Sequence, residues 1–126
     1  MLVRHFDKIL YLTGAVTLTP LLQFFLPSVN LGLSGLVVGD QTGMLFAQHW
    51  GLMAACFGAL LIFAAARPAF RTPIVLAAMV EKLGLVALIV LAWNSPALAG
   101  LHVAAFFDGA CVVVYAVYLY QQKNSA

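Results

Sequence analysis

Charge is what this sequence has least of. Only 8% of its 126 residues are charged, six Lys or Arg against four Asp or Glu, where a soluble domain carries about a quarter. So few charges cannot cover a water-facing surface, which argues against a soluble globular protein. The basic residues are dispersed and form no run, which argues against a nucleic-acid partner. Cysteine is nearly missing. The two present, Cys56 and Cys111, both fall in apolar runs, so buried free thiols are expected rather than a disulfide framework. HExxH, paired CxxC and phosphate-loop patterns are absent, and zinc hydrolysis, dithiol redox chemistry and nucleotide-driven work lose their support. The strict apolar–polar alternation of a membrane β-barrel is missing too.

What the chain has in quantity is apolar sequence, 64% of all residues. It falls into four segments at about residues 9–26, 44–66, 74–93 and 97–120, each near the ~20 residues that cross a bilayer core. No water is available there to satisfy backbone groups, so the segments must be helices. The expectation is an all-α, integral membrane bundle of four transmembrane helices, forming a single membrane domain over residues 1–126. The N-terminal segment lacks a small-x-small cleavage site and carries Asp7 and Lys8 at its edge, so it reads as a retained span rather than a signal peptide. Arg4, Lys8, Arg67, Arg71 and Lys123 fall on one side of such a bundle, and the other side has only Asp40. The positive-inside rule then places both termini in the cytoplasm, as for a bacterial inner-membrane protein.

The connections differ. "RPAFRTP" and "NSP" are tight, with proline at the breaks. "PSVNLGLSGLVVGDQTG" is longer and largely apolar, and reads as either a re-entrant or interfacial segment over the bundle's end or an ordinary surface loop. Pro20 should kink the first helix and free a carbonyl near Val16, close to Thr13 and Thr17. In the second span Gly43, Ala47, Gly51, Ala55 and Ala59 recur every fourth residue, a ribbon that admits a close neighbour. Ala77, Ala78, Glu81 and Gly84 suggest a similar face on the third, and Ala104, Ala105, Asp108 and Cys111 on the fourth.

Small residues need no function beyond packing, but charges inside a span do. Each costs roughly 2.5–3.5 kcal/mol on insertion scales, and "MVEKLGL" places Glu81 and Lys82 in the middle of the third span. At 1.5 Å per residue, Glu81 and Asp108 reach similar depth on antiparallel neighbours. Three readings follow: inward carboxyls acting as packing glue, the polar floor of a ligand cavity, or a proton relay or acid–base pair. Lys82, about 100° around the helix from Glu81, is expected to snorkel to the head groups.

A second polar cluster maps to the outer end: Gln23, Gln48, His49, Trp50, Asn94 and His102. Trp50 and Trp93 suit interface anchors. His49 and His102 at matching depth could clamp a haem iron, although histidines so placed are more often hydrogen-bonded near head groups. The candidate ligand-binding residues are Glu81, Asp108, His49, His102, Trp50 and Tyr115, with Glu81 and Asp108 also the catalytic candidates.

"HWGLMAACFGALLIFAAARP", "FRTP", "AAMVEKLGLVALIVLAW" and "FFDGACVVVYAVYLY" together resemble the small bacterial four-helix membrane proteins of the DoxX-like and related groups. The resemblance implies a compact bundle and, in some relatives, association with membrane redox systems or quinones. It implies no catalytic residue. Three functions stay open: a protein binding an apolar ligand such as a lipid or quinone, or serving as accessory subunit or homo-oligomer in a membrane complex; a membrane isomerase or quinone-linked oxidoreductase; or a small proton-coupled transporter.

Overall fold

The computed structural model describes residues 2–125. They form an all-α bundle, with no strand among the described residues. The first span is two helices in series, α1 (Phe6–Leu18) and α2 (Leu21–Phe25). Proline has no N–H and cannot continue the helical ladder, so α1 stops just before Pro20. The Val16 carbonyl left over by the break is taken up by Thr19, whose backbone N–H and hydroxyl both donate to it, at 3.1 and 2.7 Å.

The long first connection is neither a plain loop nor a span. It opens on a short helix, α3 (Pro27–Leu33), with Pro at its first position, where a missing N–H costs nothing. Gly35, at φ +69°, ends it. There Leu36 N–H donates to the Leu31 carbonyl at 2.9 Å and Gly35 N–H to the Gly32 carbonyl at 3.1 Å, a Schellman stop that favours glycine. The remaining helices are α4 (Gln41–Ala66), α5 (Arg71–Leu91) and α6 (His102–Ser125), with 3-10 turns at Pro68–Phe70 and Pro96–Leu101.

Four stretches, Phe6–Phe25, Gln41–Ala66, Pro68–Leu91 and Pro96–Asn124, are long and apolar enough to cross a membrane. They match the sequence expectation, with the last running past residue 120. Large apolar side chains such as Leu12, Val80, Leu88, Leu91, Val103 and Phe106 point outward. Water would penalise that surface and hydrocarbon would not.

The end of the bundle where the two termini meet is filled. Phe6 and Leu10 of α1, Leu61 and Ala64 of α4, Val75 and Ala78 of α5, and Cys111, Tyr115 and Tyr118 of α6 form one buried cluster. The Phe6 ring stacks on Tyr118 at 3.6 Å and meets Tyr115 edge-on at 5.9 Å. At the same end Arg71 reaches back to α4, donating from Nε to the Ala64 carbonyl at 2.9 Å and from Nη2 to Ala65 at 2.7 Å. These carbonyls lie in the last turn of α4, where no intrahelical donor remains, so Arg71 caps one helix from the start of the next.

The tightest seam joins the first span to α4, and it corrects the fourth-residue ribbon. Gly51 is buried, and a Cβ there would lie 2.5 Å from the Pro20 carbonyl oxygen. At Gly58 a Cβ would sit 2.6 Å from Leu18 N and 2.7 Å from Gly14 O. Ala59, at the end of the expected ribbon, is exposed. A step of four residues advances about 400°, so a stripe of fours drifts roughly 40° per step and leaves the interface, whereas a step of seven drifts only about 20°. The seam therefore follows Gly51 and Gly58.

Candidate functional site

Away from the filled end a cavity of about 280 Å³ opens. Thr17, Thr19 and Gln23 come from the first span, Trp50 and Ala54 from α4, Glu81, Lys82 and Leu85 from α5, and Ala104, Phe107 and Asp108 from α6. Asn30, Ser34 and Leu36 of the first connection, with Gly100 and Leu101, line a further side. The roof rests on bare backbone: a Cβ on Gly100 would overlap the Ser34 carbonyl. Gln23 fastens it further, donating to the Ala47 carbonyl at 2.6 Å and accepting from Asn30 Nδ2 at 3.0 Å, while Gln48 donates to the Phe24 carbonyl at 3.1 Å. Part of the first connection thus packs on the first span and α4 and lines the cavity.

Glu81 and Asp108 both line this cavity, the second of the three arrangements that their similar depth left open. Lys82 does not snorkel. It is 1% exposed, and its ammonium donates to Asp108 Oδ1 at 2.9 Å and to Thr17 Oγ1 at 3.3 Å, with the Phe107 ring centroid 5.1 Å away. Asp108 is itself only 7% exposed. The buried stripe of α5 runs through Val75, Ala78, Lys82 and Ile89. That is a rotation of the expected face, and Ala77 and Gly84 turn outward. A buried ammonium is tolerable only when paired and hydrogen-bonded, and Asp108 on the next span meets that need more closely than distant head groups.

The hydrogen bonds continue along the first span. Thr17 donates its hydroxyl to the Thr13 carbonyl at 2.7 Å, and Thr13 donates to the Ile9 carbonyl at 2.8 Å. With its one proton spent, Thr13 Oγ1 accepts from the Tyr115 phenol at 2.6 Å. These threonines return their protons to their own helix, as is common for hydroxyls inside a span, and offer their lone pairs to Lys82 and Tyr115. Sequence reasoning placed both threonines near the proline break. That Thr17 is a partner of Lys82 had no local signal, because the residues are far apart in the chain.

Glu81 occupies a boundary. It lines this cavity and also a second hollow of about 320 Å³ between α4 and α5, walled by Trp50, Met53, Phe57, Gly84 and Leu88. Its Oε2 is shut from solvent and has no hydrogen-bond partner. The ion pair thus belongs to Lys82 and Asp108, and Glu81 is left outside it with one oxygen unpartnered.

The other expected residues divide. Trp50 lines both hollows. Tyr115 is fully buried in the filled end and does not line the cavity. His102 stacks on Trp93 at 3.7 Å with the rings 6° from parallel, and its Nε2 is 3.1 Å from the Trp93 carbonyl. His49 is exposed, and neither histidine lines the cavity. Cys111 is buried as expected but Cys56 is exposed on the outer face of α4, and both thiols are free. Among the described residues no group of three or more His, Cys, Asp or Glu is placed to hold a metal ion. No protein-family model, curated protein or solved structure matches this chain.

Proposed function

We propose that this is a multi-pass protein of the bacterial inner membrane, both termini cytoplasmic, that holds a lipid-soluble molecule, a lipid or quinone, between its helices. The observation that carries the reading is the cavity at Glu81, Lys82 and Asp108: a mainly apolar hollow with these charged side chains in its wall, next to a second apolar hollow. Packing glue alone would leave no such space. A ligand site combines apolar walls with a few fixed polar groups, and here those groups are held by the Lys82–Asp108 pair and by Thr17. Quinone association, which the resemblance to DoxX-like proteins implies, fits the same chemistry. A membrane enzyme or a proton-coupled transporter would use Glu81 as its spare carboxyl, since Asp108 is already committed to Lys82.

Purification in mild detergent followed by mass spectrometry of the extracted small molecules tests the binding reading. One lipid-soluble species is expected near one per chain, and it should be missing from an Ala104→Phe variant that fills the cavity but keeps its helical content. Equal recovery from both proteins would defeat the reading. Topology is tested separately in cells, after Cys56 and Cys111 are changed to Ala. A cysteine at Ser28 or Asp40, both exposed, should react with an impermeant reagent from outside, and one at Thr72 should not.

A further inference from the structure

Resting on the binding reading above, we infer that the ligand is a long-chain amphiphile with a neutral hydroxyl head, and that it slides in sideways from the bilayer between α4 and α5, past Glu81. The cavity alone, at about 280 Å³, falls just below the range for small-molecule pockets, which starts at about 300 Å³. It has room for a head group and not for a lipid tail. The apolar hollow of about 320 Å³ shares Trp50, Ala54, Glu81 and Leu85 with it, so those side chains form the wall between the two. It lies on the seam between two helices that cross the membrane, which is where a tail would remain in hydrocarbon while its head turned inward.

Gly84 makes room for that tail. It sits in the interior of α5, where glycine costs about 1 kcal/mol relative to alanine, yet a Cβ there would meet no atom within 4 Å. No packing neighbour requires its smallness. Its effect is to leave the groove floor beside Trp50 and Phe57 open.

The head group follows from charge and proton counting. Two carboxyls and one lysine line the cavity, Lys82 is already bonded to Asp108, and an anionic head would face the surplus carboxyl. Glu81 lines both hollows, and its Oε2 is packed against protein without a hydrogen-bond partner, an arrangement that is costly and that a turn of the carboxyl toward a ligand would relieve. Lys82 spends two of its three ammonium protons on Asp108 and Thr17. A hydroxyl can donate to Glu81 when that side chain is a carboxylate or accept from it when it is an acid, and can also accept from Lys82. An ammonium can only donate, and it would meet Lys82 as a like charge.

The test uses Trp50 as reporter. The chain has two tryptophans, and Trp93→Phe leaves Trp50 alone while keeping an aromatic ring against His102. Protein in lipid nanodiscs is titrated with an alcohol, an amine and a fatty acid of equal chain length, each brominated at mid-chain to quench a neighbouring indole. The alcohol is expected to quench saturably, and the amine and acid to need at least tenfold more probe. Glu81→Leu should weaken the alcohol by about tenfold. Gly84→Leu fills the groove in space the structure leaves free, so its melting temperature should hold while quenching disappears. Undiminished quenching in Gly84→Leu, with loss in Ala104→Phe, would overturn the sideways route and leave the cavity reading standing. Undiminished quenching in both would overturn the two together. An amine or acid that matches the alcohol overturns the head-group assignment.

Discussion

The seam between α1 and α4 and the seam between α4 and α5 both use glycine, for opposite purposes. At Gly58 the missing side chain lets two backbones touch, with Leu18 N and Gly14 O in the place a Cβ would take. At Gly84 nothing occupies that place. The first glycine removes space and the second preserves it. In hydrocarbon, where burying apolar surface brings little gain, close backbone contact is a main source of helix association. The bundle therefore holds together through α1 with α4, while α5 is fastened to α6 by Lys82 and Asp108 and to α4 chiefly at the Arg71 end. What remains between these two pairs is the groove that leads to Glu81.

Breaking the fastening of α5 should have the largest effect. Lys82→Met leaves Asp108 buried without its cation, and losing one partner of such a pair costs about 3–5 kcal/mol. Thermal melts in detergent should show a severely destabilised protein, and Lys82→Met/Asp108→Asn should recover most of the loss. If Glu81→Gln rescued Lys82→Met as well as Asp108→Asn does, the assignment of the pair would be wrong.

The two glycines sharpen the comparison directly. Gly58→Ala pushes a methyl into backbone atoms that cannot rotate away, and overpacking of that kind costs roughly 1–3 kcal/mol. Denaturant titration of reconstituted protein should show the drop, with α1 losing its protection from hydrogen exchange. Gly84→Ala should have the smallest effect and the opposite sign. It adds a methyl to open space and gains about 1 kcal/mol or less of helix propensity, so the melting temperature should stay level or rise slightly. A fall comparable to that of Gly58→Ala would mean that the groove is closed in the working protein.

The sequence made the four spans legible because length and hydropathy alone set them. It also made the site partly legible, since Glu81 and Asp108 stand out as charges in apolar runs. It could not fix the rotation of α5. A helix that is apolar all round carries no amphipathic direction, so hydropathy does not choose between Glu81 and Lys82, one residue apart, for the inward face. The small residues favoured the Glu81 side. The structure turned Lys82 in, because only a neighbouring span could show that Asp108 and Thr17 converge on its ammonium. Tyr115 illustrates the converse. It lies seven residues beyond Asp108 on the same inward face of α6, and that face passes from the cavity into the filled end before reaching it.

The Lys82–Asp108 pair has a consequence for how the chain enters its membrane. Synthesis delivers α5 before α6, so Lys82 reaches the bilayer while its partner is still unmade. An unpaired charge at the centre of a span resists insertion by about 2.5–3.5 kcal/mol, and Glu81 stands beside it. Of the four membrane-length stretches the one carrying α5 is the most apolar, which offsets that resistance during the interval. The greasiness of α5 thus serves a passing state of the growing chain as well as the finished bundle, and the site is completed only when the last span arrives.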